Sequence, residues 1–406
     1  MVKNLNKFYF NHKKNISSAY IWISGGSSLD KINQKGMNQI LCSLITRGSK
    51  YLDNFEISKI LDDNGAELCY EAVEDGIYLG IKSLKEYFKN VYPLIEILLY
   101  ESILPEREFI KCKKVQINNI LKNEENLFIK TFDNWKKLVY KNHPYRYDCN
   151  GYTNTINNIN YEDITKEYND FRQRNMYLLS NHEFIDLKHI NIRNIEDKNK
   201  YLIEPLNFKK EDRYIQCNFH TNQIVIMLGN KTCPHNNKDY FSLKLLESYL
   251  AFGMSSILFK MFREKNGLTY DIGIIHPVRI RCAPFLIYLS VSNEKALTAF
   301  KILINLWKEL STKLIPKKDL DLAKTKLKSS LLHSSQLIED IILRKVQLIS
   351  YQMDHNFDKK SLEEIDKISP ELINVVINKY LNNPFLSILG DSKVCEKIKN
   401  FWETSF

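Results

Sequence analysis

The sequence predicts an α+β protein made of two similar duplicated halves of about 200 residues, each with a mixed or antiparallel sheet covered by helices. Three observations carry this. AYIWISGGSS at 19–28 reads as a strand with a small-residue turn, and NQIVIMLGNK at 222–231 reads as the same element, Ile224 lying 203 positions after Ile21 (224 − 21 = 203). ISKILDDNGAELCYEA at 57–72 is a helix, an Asn-Gly stop and a strand. LFKMFREKNGLTYDIG at 258–273 repeats that order, with Gly267 placed 202 positions after Gly65 (267 − 65 = 202). Each half then adds a strand, IYLGIKSL or FLIYLSVS, and an amphipathic helix, YFKNVYPLIEILLYE or ALTAFKILINLWKEL. Strands and helices do not alternate strictly, which argues against a parallel βαβ sheet.

The boundary falls in IRNIEDKNKYLIEPLNFKKEDR at 192–213, a polar stretch with neither helical nor strand periodicity. Residues 1–191 form the first half, 192–213 a linker, and 214–406 the second half. Within the first half, GMNQILCSLITRGS at 36–49 opens on Gly36, places Ile40, Leu41, Leu44 and Ile45 at helical spacing, and closes on Arg47-Gly48. A helix over 36–47 therefore packs its apolar face on a sheet. Its other face carries only Gln39, Cys42 and Ser43, three small or neutral polar groups.

Composition bounds the function. Of 406 residues, 44% are hydrophobic and 12% aromatic, which supports a packed core rather than disorder. The net charge is +10, but lysine and arginine are spread along the chain without a dense block, and no nucleic-acid-binding motif appears. A nucleic-acid partner is not expected. The eight cysteines form no C-x-x-C pair, which fits a reducing compartment better than a disulfide scaffold. The N-terminus is basic without a continuous apolar segment, and no apolar run approaches the roughly 18 residues that span a membrane. A cytoplasmic protein without a membrane partner is the expectation. CNFH at 217–220 and CPH at 233–235 bring Cys and His together in sequence. Cys217 and His220 point to opposite faces of a strand, however, so packed residues are expected there rather than a metal site.

LAFGMSSILFKMFREKNGLTYDIG at 250–273 closely resembles the second-half signature of the insulinase and mitochondrial processing peptidase family, which comprises inverzincin metalloproteases and their non-catalytic sister subunits. The shared residues are Gly253, Met254, Ser255, Ser256, Leu258, Phe259, Arg263, Glu264, Gly267, Leu268 and Tyr270; two family glycines are replaced by Ala251 and Phe252. NHPY at 142–145, followed by Gly151, is a further match.

The resemblance gives the polar face of the 36–47 helix a meaning. Catalytic members carry H-x-x-E-H on this helix: two histidines hold zinc and the glutamate activates water. Aligned on that motif, Gln39 and Ser43 stand at the histidine positions and Cys42 at the general base. The third ligand, a glutamate about 76 residues further on, falls at Asn119, and an accessory glutamate seven residues before it at Cys112. A catalytic zinc needs about three good donors and an open position, which this set does not offer. The chain is thus expected to bind no zinc, and Cys42 and Cys112 to be small replacements in a site no longer used.

Arg263 and Tyr270 keep the family's spacing. Read as isolated residues they are a helix-end cation and a strand aromatic. In active relatives the pair touches the bound peptide, and both groups can donate hydrogen bonds to a carbonyl oxygen gaining charge. The resemblance therefore implies a non-catalytic subunit of a heterodimeric zinc endopeptidase. It would shape a peptide chamber and supply Arg263 and Tyr270 to a zinc-bearing paralogue with an intact H-x-x-E-H, the zinc residing in that partner. The alternative is a structural or peptide-holding subunit with no part in catalysis. Substrate, partner, and homodimer versus heterodimer stay open at this point.

Overall fold

Apolar residues run without a break through Ala19–Ile23 and again through Ile224–Leu228, and a strand of that kind needs cover on both faces. The computed structural model describes residues 5–9, 15–182, 210–269, 271–333 and 337–405, and in it both segments are central strands of mixed five-stranded sheets. The first sheet contains β1 (Leu5–Tyr9), β2 (Ile16–Ser24), β3 (Glu67–Ala72), β4 (Gly76–Leu84) and β5 (Met176–Ser180), in the order β1-β5-β2-β4-β3. The second contains β6 (Tyr214–Asn218), β7 (Gln223–Thr232), β8 (Asp271–Ile275), β9 (Ala283–Ser292) and β10 (Phe385–Gly390), in the order β6-β10-β7-β9-β8. The two orders are the same topology. In each sheet one pair is parallel, β1 with β5 and β6 with β10, and the others are antiparallel. The registers correspond as well: Ile21 stands opposite Leu79, and Ile224 opposite Val291. This is the duplicated α+β architecture expected from the sequence.

The strand alternation decides what covers each face. In β2, Ala19, Ile21 and Ile23 enter a core with the helix Met37–Leu44, while Tyr20 and Trp22 on the opposite face pack with Ile338, Ile342 and Val346 of the helix Ile338–Ser350. In β7, Ile224, Ile226 and Leu228 enter a core with the helices Tyr240–Ala251 and Ala296–Thr312. Val225 and Met227 instead meet Trp135, Leu138 and Val139 of the helix Leu127–Val139. The second cover of each sheet thus comes from the other half of the sequence. The two compact units are accordingly 1–122 with 147–200 and 333–357, and 123–146 with 201–332 and 358–406. This differs from the contiguous halves 1–191 and 214–406, because a sheet buried on both faces takes its second cover from wherever an apolar helix is available. Of the 192–213 linker, residues 192–209 lie outside the described residues, and Lys210–Arg213 form a short 3-10 turn.

One expected helix is broken. YFKNVYPLIEILLYE forms Phe88–Val91 and Leu94–Tyr100, because Pro93 has no N–H to continue the ladder. Its counterpart, with no proline, is continuous over Ala296–Thr312.

Candidate functional site

The helix Met37–Leu44 begins at Gly36, whose φ of +95° is left-handed and whose missing Cβ would lie 2.5 Å from the Asn150 carbonyl oxygen. Its first amides, which have no partner within the helix, are met by a buried carboxylate. Asp30 accepts the N–H of Gly36 at 2.9 Å and of Asn38 at 3.2 Å. The Asn38 side chain also donates to Asp30, and its oxygen accepts from Arg174 at 2.8 Å. Arg174 is paired with Glu167. Burial pushes the Asp30 carboxyl up to about 6, against the hydrogen bonds from Asn38 and Gly36 and the charge of Lys35. Lys35 is itself buried, donating to the Ser27 carbonyl at 3.1 Å and standing 4.9 Å from the Tyr147 ring centre. Burial lowers its pKa. Sequence reading passed over this network. Its one sequence signal is an acid six residues before a glycine that opens a helix.

On the same helix the positions that align with the zinc motif have structural tasks. Gln39 Oε1 accepts the backbone N–H of Ala72 on β3 at 3.0 Å. Cys42 is fully buried in the apolar core, and burial, helped by the charge of Glu71, raises its thiol pKa. It is no nucleophile there. Ser43 is half-buried beside Cys112, which is raised by burial while Arg47 and Ser43 act to lower it. Asn119, on the helix Glu106–Glu125 that also holds Cys112, is exposed. Ser43 and Cys112 are thus adjacent, Cys42 shares their core, and Gln39 is engaged by the sheet. Among the described residues no three His, Cys, Asp or Glu side chains gather as a metal-ligand set. In the second Cys/His segment Cys217 is half-buried on β6, His220 is exposed beyond it, and Cys233 and His235 are buried, His235 edge-on to Tyr240 at 4.3 Å.

The second-half signature forms a tight turn. Phe259–Glu264 is wound as a π-helix rather than the expected α-helix, which re-aims the side chains of FKMFRE. The expected glycine stop is present: Gly267 has φ +53°, its N–H bonds the Arg263 carbonyl at 3.1 Å, and the Leu268 N–H bonds that of Phe262 at 2.7 Å. Arg263 is exposed, its guanidinium 4.9 Å from the Phe259 ring centre. Tyr270 lies outside the described residues.

Comparison with known proteins bears on this helix and on the second-half signature. Residues 169–327 match the family model "Peptidase M16 inactive domain". An "Uncharacterized zinc protease" of Rickettsia felis is 24% identical over 330 residues, 77% of each chain. A "Non-peptidase homolog YmxG" of Helicobacter pylori is 22% identical over 397 residues, 94% of this chain and 91% of that one. The chain is similar to proteins of the M16 peptidase family. The descriptions it matches include both an inactive domain and a non-peptidase homologue, beside uncharacterised zinc proteases. The crystal structure of an M16 inactive domain from Pseudomonas fluorescens has the same fold, with a TM-score of 0.80 at 19% identity over 96% of this chain and 95% of that one. A protease from Helicobacter pylori superposes with a TM-score of 0.83 at 18% identity over 95% and 96%. No helix among the described residues is long and apolar enough to cross a membrane.

Proposed function

We propose that this M16 homologue is the non-catalytic subunit of a heterodimeric zinc endopeptidase. It shapes the peptide chamber and lends Arg263 and Tyr270 to a partner that carries H-x-x-E-H and the zinc. One observation supports the reading above the rest: the zinc positions hold Gln39, Cys42, Ser43 and Asn119, while the second-half signature from Gly253 to Tyr270 is kept. A chain that had left proteolysis altogether has no need of an arginine and a tyrosine at that spacing. The exposed Arg263 is compatible with contact to a peptide carbonyl.

A group that meets the reacting carbonyl acts in the transition state, so its loss lowers turnover more than it raises KM. With the zinc-bearing relative encoded by the same genome, Tyr270→Phe is expected to assemble normally and to lose on the order of 10²-fold in kcat. Arg263→Ala is expected to do the same and to raise KM as well. Full activity in both variants favours the second reading, a structural or peptide-holding subunit.

A further inference from the structure

The turn that opens the second-half signature is left open to an incoming chain. Gly253 has φ +76°, and a Cβ built on it would meet nothing within 4 Å. Met254, next to it, is 75% exposed, an unusual place for a large apolar side chain. Two lysines flank this turn. Lys326, on the helix Lys317–His333, donates to the Phe252 carbonyl at 2.9 Å. Lys260 is exposed on the π-turn Phe259–Glu264. Partial burial, and after it the charge of Lys260, lower the Lys326 pKa. Among the described residues neither ammonium has a carboxylate partner. Elsewhere on the same helix Lys328 does, pairing with Asp366 at 2.6 Å.

Two neighbouring ammonium groups without a counterion repel each other, and an anion placed between them removes that cost. We propose that Lys260 and Lys326 form a carboxylate subsite beside the Gly253–Met254 turn, and that this chain selects acidic peptides carrying an apolar neighbour. The open backbone at Gly253 admits an extended chain, Met254 offers it an adaptable apolar contact, and the lysines take the acidic side chain. The inference rests on the proposed function only in supposing that a peptide comes to this face. It names the class of peptide.

The test uses the full chain alone, with no partner and no turnover, so it fails or succeeds independently of the Arg263 and Tyr270 experiment. The probes are a fluorescein-labelled peptide of glutamates interspersed with leucines and its glutamine counterpart, followed by fluorescence anisotropy. The glutamate peptide is expected to bind about tenfold tighter at low ionic strength, the preference fading as salt rises. Lys260→Gln, whose native side chain makes no hydrogen bond among the described residues, should reduce the preference to about threefold, and Lys260→Gln with Lys326→Gln should abolish it. Lys260→Arg should retain it. A double variant at exposed sites of the other unit, Lys59→Gln with Lys89→Gln, has the same net charge as the test variant and should keep the full preference. Equal binding of the two peptides, absence of binding up to about 1 mM, a preference that survives in the Lys260/Lys326 variant, or one lost equally in the control overturns the proposal.

Discussion

Gln39 Oε1 accepts the backbone N–H of Ala72 at 3.0 Å, so the side chain that aligns with a zinc-histidine position of the family motif serves the sheet. Ala72 ends β3, an edge strand paired on one side only. An outward amide on such a strand needs a partner from elsewhere. Gln39 supplies one, and this gives the residue a structural reason to be neutral and to stay in place.

Restoring the histidines alone should therefore not restore a zinc site. Gln39→His with Ser43→His recreates two imidazoles four apart on the helix, but position 42 stays a buried thiol and position 119 an exposed amide. The double variant is expected to lose its zinc on mild chelation and to cleave no peptide. It should also be less stable by about 1 kcal/mol, because the Ala72 amide loses its acceptor. Elemental analysis after dialysis and urea unfolding measure the two effects. About one retained zinc per chain would show that the site is not degenerate.

Asp30 gives the first unit a pH dependence of a definite sign. Its folded-state pKa is raised from 3.8 to about 6, chiefly by burial. The stability it contributes is fully present below the unfolded value and is lost as pH rises through the folded one. Relative to Asp30→Asn, which does not titrate, the natural protein should lose on the order of 2–3 kcal/mol between about pH 4 and pH 6 and change little above. Denaturant unfolding of both chains across that range measures it. A gap that widens in favour of the natural protein as pH rises would mean that the hydrogen bonds from Gly36 and Asn38 outweigh burial.

The repeat was legible because it is written in local patterns. The apolar runs at 19–23 and 224–228, the stops at Gly65 and Gly267 and the spacing between them all survive in one sequence. The helix over 37–44 was legible from its apolar spacing, while only the resemblance singled out Gln39, Cys42 and Ser43, which carry no chemistry that periodicity alone would mark. Other features were not legible. The buried Asp30–Asn38–Arg174 connection joins residues 136 apart in sequence (174 − 38 = 136), and no local rule links them. The π-winding of Phe259–Glu264 depends on how the following loop is tied back, through the Leu268 amide to Phe262.

The exchange of covering helices was equally hidden, since an amphipathic helix does not state which sheet it covers. It has a sharp consequence for fragments. Residues 1–191 contain all five strands of the first sheet, and by the duplication alone they should fold independently. Tyr20 and Trp22, however, are covered by Ile338, Ile342 and Val346, and Tyr351 stands edge-on to Trp22 at 5.8 Å. Trp135 in turn is buried against Val225, Met227 and Leu286. In the fragment both tryptophans lose their cover, and a face of several large apolar side chains meets water. Each fully exposed side chain of that size forgoes about 1.5–3 kcal/mol, so a few of them remove most of a domain's net stability. The fragment 1–191 is expected to show red-shifted tryptophan emission, to bind a hydrophobic dye and to unfold without a cooperative transition. Adding a peptide of residues 333–357 in trans should restore part of the blue shift through Trp22 and leave Trp135 exposed. A fragment that unfolds cooperatively with native tryptophan emission would show that the second cover is dispensable, and that the contiguous half is the folding unit after all.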